Sequence, residues 1–194
     1  MTNAASFREP GNWLGGFYEL AIEVGPTGDD DRLAAALAAV WTAAGVEGCV
    51  TGRDAEPEEQ PEAPCTLASL AGTGHLQGRV RLPEGQLVVC GCMVVREEDG
   101  SDWLDFYVPT GALDAAGVPA RAGLMSYRSA VLDDWLASVA TEAHRTVSFP
   151  LALVGWEVSG STDAATLAGR PPAHRTVGYL LPQGGSLHYA QANA

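Results

Sequence analysis

The 194-residue chain contains no lysine, and its 24 acidic side chains face 11 basic ones, all arginine, for a net charge of -13. That absence removes whole chemistries. There is no amine for a Schiff base, no lysine general base and no GxxxxGK[ST] phosphate loop. Eleven scattered arginines form no basic face for nucleic-acid phosphates, so a nucleic-acid partner is not expected. Arginine in place of every lysine, with abundant Ala and Gly, also fits a GC-rich coding bias.

Other absences narrow the field further. No window approaches the ~18 apolar residues of a membrane span, and Met1–Asn12 lacks the cationic and apolar pattern of a signal peptide. The four cysteines, Cys49, Cys65, Cys90 and Cys92, form no dense secreted framework. The expectation is a reduced, cytoplasmic protein with no membrane contact. No cofactor motif stands out. Gly72–Gly78 (GTGHLQG) has GxGxxxG spacing and precedes a strand pattern rather than a helix, which excludes a dinucleotide fingerprint. No GxSxG nucleophile elbow occurs.

What is present reads as one α+β domain over residues 1–194, with a mainly antiparallel sheet and two principal helices. Phe17–Val24 alternates, with Tyr18, Leu20, Ile22 and Val24 on one face and Glu19, Ala21 and Glu23 on the other. That pattern predicts a half-buried strand with an acidic outer face. Asp29, Asp30 and Asp31 then precede a helical stripe of Leu33, Leu37, Val40, Trp41 and Ala44, stopped by Gly45. Val46–Thr51 completes a strand–helix–strand opening. Arg53–Pro64 is acidic and proline-rich, which predicts an exposed, mobile loop at 53–64.

Strand patterns at His75–Leu82, Gln86–Val95 and Trp103–Val108 predict a meander. The apolar run Leu87–Val95 fits either a central strand or a homodimer seam. A helix follows over Ser129–Arg145, with a stripe of Val131, Leu132, Trp135, Leu136, Val139 and Ala143 and with Asp133 and Asp134 outside it. Leu151–Val158 is a strand, Val158–Asp163 a loop capping a short helical turn, and Val177–Leu181 with Ser186–Ala190 a closing hairpin. The pentapeptide AHRTV occurs at Ala143–Val147 and again at Ala173–Val177; with one copy ending a helix and the other entering a strand, it reads as coincidence.

Three chemistries compete. Glu19 and Glu23 share a strand face, Asp105 shares one with Trp103 and Tyr107, and His75 lies among glycines. Converging, these would suit a small-molecule enzyme or binding site, although a charged sheet face facing water is the simpler account of the acids. Cys90 and Cys92 share a face and with Cys49 and Cys65, or with His75, could build a four-ligand structural zinc site, although structural zinc favours C-x2-4-C pairs and reduced cysteine is a common core residue. The leading expectation is a protein-interaction module with a basic protein partner, using Tyr18, Trp103 and Tyr107 as aromatic anchors. Small acidic inhibitor or immunity proteins are its analogue by type.

Overall fold

The computed structural model describes residues 3–98, 100–118 and 127–194; Asp99, in the turn expected at 97–100, lies outside them. Among the described residues eight strands form one antiparallel sheet: β1 (Phe17–Pro26), β2 (Glu47–Val50), β3 (Leu76–Arg81), β4 (Leu87–Arg96), β5 (Ser101–Pro109), β6 (Leu151–Trp156), β7 (Gly178–Gln183) and β8 (Ser186–Ala190). Their spatial order is β2-β3-β4-β5-β1-β6-β7-β8. The helices are α1 (Asp30–Ala44), α2 (Leu67–Thr73), α3 (Thr110–Ala115), α4 (Ala130–Thr146) and α5 (Ala164–Leu167). The α+β class and the strand–helix–strand opening are as the sequence predicts, and β3, β4 and β5 form the expected meander.

The sheet has two unlike faces. Leu20 and Ile22 of β1, Leu104 and Phe106 of β5, and Cys90 and Cys92 of β4 belong to the principal core, with Leu33 and Leu37 of α1 and Leu136 and Ala140 of α4. α1 begins with the Asp29 carboxylate accepting the Arg32 amide and ends at Gly45 in the left-handed region, φ 66°. The opposite face carries a smaller cluster of Ala21, Trp103, Leu151, Leu153, Val158, Tyr179 and Leu181, against which Ala164 and Leu167 pack. The segment running from the end of β6 through α5 therefore covers the middle of that face.

Two expectations are corrected by this arrangement. β1 lies between β5 and β6 and is buried on both faces, so Glu19 (2% exposed) and Glu23 (7%) are not an acidic outer face. On α4, Asp133 is buried while Val131, placed on the apolar stripe, is 48% exposed. The buried face is set by Leu132, Leu136, Val139 and Ala143, and Val131 falls a helical step to its side. The 53–64 segment is exposed or half-exposed throughout and is tied to its neighbours at two points. Glu56 accepts hydrogen bonds from Ser6 Oγ (2.6 Å), the Phe7 amide (3.0 Å) and Arg79 (2.7 Å), and the Ala63 amide donates to Cys49 O at 2.7 Å.

β4 is an interior strand paired on both sides, so Leu87–Val95 is no open sheet edge. The two AHRTV copies differ in structure: the first ends α4, and the second is irregular chain leading into β7.

Candidate functional site

Register places the acids. Glu19 stands opposite Tyr107, Ala21 opposite Asp105 and Glu23 opposite Trp103. Directly opposed residues of an antiparallel pair project from the same side, so acids and aromatics do share one face, the loop-covered one. Tyr18 projects from the other, as its alternation with Glu19 requires.

The cover is held by carboxylates. The Ser159 amide donates to Glu19 Oε1 at 2.8 Å and its hydroxyl to Asp105 Oδ2 at 2.8 Å. The Ala164 amide donates to Glu23 Oε2 at 2.7 Å, and Ser101 Oγ donates to Glu23 Oε1 at 2.8 Å. Glu157 adopts φ 50°, rare for a side chain of its size, and clasps Phe17 through its own amide (2.9 Å) and its carboxylate (2.6 Å).

Burial sets the electrostatics. Desolvation pushes Glu19 up to about 7 against the Ser159 hydrogen bond, with the charges of Asp105 and Glu157 adding to the rise. Desolvation likewise lifts Asp105, 0% exposed, to about 6 despite its Ser159 hydrogen bond. Its second oxygen, Oδ1, is buried without a hydrogen-bond partner. Two carboxyls that exchange protons near neutrality are competent general acids or bases in principle, but here both lie beneath the 157–164 segment.

His75 joins this face indirectly. Its Nδ1 lies 2.9 Å from the Tyr107 hydroxyl. Desolvation, followed by the nearby Arg53 charge, holds His75 below its ordinary pKa. Arg53 stacks over Trp13, 4.6 Å from the ring centroid, beside a groove of about 350 Å³ lined by Phe7, Trp13, Arg53 and Asp54. Of the four candidate catalytic residues, Glu19 and Asp105 meet through Ser159. His75 reaches the strand partner of Glu19 through Tyr107, and Glu23 stands four residues along β1, roughly 13 Å away.

The proposed aromatic anchors are buried: Tyr18 is 1% exposed, Trp103 3% and Tyr107 0%. They present no contact surface, because a central strand of a covered sheet has no open face. Tyr18 instead donates to Asp133 at 2.5 Å and accepts from the Ser129 amide at 3.1 Å. The cysteines divide. Cys90 and Cys92 are fully buried in the helix-side core, whereas Cys49, at the margin of the same core, shares a surface groove with Cys65, which packs against it. Among the described residues no three His, Cys, Asp or Glu side chains are placed to hold a metal ion.

A different acidic surface lies at one end of the sheet. Thr27 bonds to Gly100 O (3.2 Å) and Glu97 O (2.6 Å), bringing the β1–α1 and β4–β5 turns together. Asp29, Asp30, Asp31, Glu97 and Glu98 are all exposed there. Arg96 is already committed to Asp30 at 2.8 Å and Asp102 at 3.9 Å, and Arg32 turns away to Ser148 O. Val95, 43% exposed, adjoins them. Sequence reading missed this pairing of turns, and Ser159, because nothing local marks a contact made across the fold. No helix among the described residues is long and apolar enough to cross a membrane. Neither a family model, nor a curated protein, nor a solved structure matches the chain.

Proposed function

We propose that this chain is an acidic protein-interaction module of the inhibitor or immunity type, and that a basic protein docks at the sheet end bearing Asp29–Asp31 and Glu97–Glu98. The observation that supports this most is the excess of exposed carboxylates at that end over Arg96, the one arginine among the described residues that faces them. Unneutralised surface charge has little to contribute to folding, whereas it speeds encounter with a cationic partner and repels polyanions. Val95 and the half-buried Met93 beside it supply an apolar contact that charge alone lacks.

The test is affinity purification from the native cell with the wild-type protein and a Glu97→Arg/Glu98→Arg variant. A basic protein retained in stoichiometric amount by the wild type, and lost with the variant and at high salt, supports the reading. No such protein, or equal retention by both, removes it.

A second reading, a small-molecule enzyme or binding protein using Glu19 and Asp105, is favoured by one observation: the buried Asp105 Oδ1 without a partner. A ligand reaches it only when the 157–164 segment lifts. Metabolite-induced thermal stabilisation that disappears in Asp105→Asn would support this reading over the first.

A further inference from the structure

Cys49 is the penultimate residue of the short edge strand β2, and Cys65 follows the 53–64 segment just before α2. The Ala63 amide donates to Cys49 O at 2.7 Å, fixing the end of that segment beside the strand. Both thiols line one surface groove of about 470 Å³, with Trp41 and Glu62 among its walls. Both are free, and Cys65 is half-exposed while Cys49 is buried at the groove floor. We propose that Cys49 and Cys65 form a reversible dithiol–disulfide site that exchanges with low-molecular-weight disulfides and, when oxidised, staples the 53–64 segment to β2.

The neighbouring thiol holds Cys49 below the ordinary thiol range and, together with desolvation, pushes Cys65 up, which makes Cys49 the thiolate. The Cys49 thiolate attacks one sulfur of RSSR, forming Cys49–S–S–R and releasing RS⁻, which takes up a proton. Cys65 then loses its proton, attacks the Cys49 sulfur, and releases the second RS⁻. The sum is protein dithiol plus RSSR giving protein disulfide plus 2 RSH, with the protein oxidised by two electrons and RSSR reduced by two. Cys90 and Cys92 take no part, since desolvation keeps both protonated in the core.

The sequence makes the test clean. Trypsin cuts after arginine, which puts Cys49 in peptide 33–53, Cys65 in 54–79, and Cys90 with Cys92 in 82–96. Reduced full-length protein is incubated with oxidised glutathione, alkylated under native conditions and digested for mass spectrometry. The expected product links 33–53 to 54–79, with 82–96 carrying two free thiols. Cys65→Ser should accumulate glutathione on Cys49, and Cys49→Ser should leave Cys65 unmodified. Cleavage of the 53–64 segment by a glutamate-specific protease should slow by roughly tenfold or more in the linked form, through the lost freedom of the closed loop. Reduced glutathione should restore the starting rate. No linked peptide at equilibrium, a link involving 82–96, or stable glutathione adducts on the wild type without the link would each overturn the proposal.

Discussion

Glu19 and Asp105 sit diagonally across β1 and β5, and both end on the same residue, Ser159, which gives its amide to one and its hydroxyl to the other. This one residue ties a late segment to the two central strands. It also leaves two carboxyls in a place where ionisation is costly.

That cost makes stability fall as pH rises. Glu19 ionises at about 7 in the fold and near 4.5 in the unfolded chain. Below 4.5 both states hold the proton and the contribution is complete; it is lost as pH climbs through about 7. The difference corresponds to on the order of 3 kcal/mol, and Asp105 acts in the same direction between 3.8 and about 6. Glu19→Gln keeps an oxygen for the Ser159 amide and removes the titration. Urea unfolding at pH 5 and pH 8 should show the wild type losing stability at the higher pH and the variant losing markedly less. Parallel losses would contradict the assignment.

Glu56 gives the opposite sign on the acid side. Although partial desolvation works against it, hydrogen bonds from Ser6, Phe7 and Arg79 hold it down to about 2. Its contribution is present above 4.5 and is lost as pH falls through about 2. Glu56→Ala should therefore release the 53–64 segment and cost roughly 1–3 kcal/mol, the range for a lost charge-assisted hydrogen-bond set. Limited proteolysis at pH 7 should show new cleavage inside 53–64 while the sheet stays resistant. Unchanged cleavage would mean that Gln60, bonded to Gly52 O and Ala55 O, suffices alone.

These two glutamates also mark where the sequence can be read and where it cannot. Alternation over Phe17–Val24 gives the strand and its two faces, and Pro83–Gly85 gives the hairpin between β3 and β4. What packs onto a face is a different matter. Glu19 and Glu23 look solvent-directed because a carboxylate scores as polar whether water or a backbone amide satisfies it. Their backbone-amide partners, Ser159 and Ala164, lie about 140 residues along the chain, in and just after an unremarkable VSGSTD stretch. Glu56 is hidden likewise among acidic, proline-rich neighbours that suggest mobility. α2 and α3, of seven and six residues, are too short to show a period.

Tyr18 and Asp133 make the link between β1 and α4. Tyr18→Phe removes the hydroxyl bonded to Asp133 and Ser129 and leaves a carboxyl 6% exposed without its donor. The expected loss is roughly 2–3 kcal/mol in urea unfolding. A cycle with Asp133→Asn should show the two costs to be non-additive. Simple addition would deny the coupling.

Gly91 is the last constraint, and it governs the His75–Tyr107 pair. A Cβ at this position would lie 2.5 Å from the Tyr107 hydroxyl oxygen and 2.9 Å from Leu76 O. The ring crosses β4 at the one residue without a side chain, and only so does its hydroxyl reach His75, just before β3. Gly91→Ala must therefore shift the tyrosine or the backbone, at roughly 1–3 kcal/mol for overpacking. Displacing the ring also opens His75 to water, and its titration, followed by NMR, should move up toward the ordinary histidine value. If the ring is the obstacle, the cost of Gly91→Ala shrinks in a Tyr107→Ala background, leaving only the conflict with Leu76 O. An equal cost in both backgrounds would place the obstacle in the backbone and detach the histidine from the glycine.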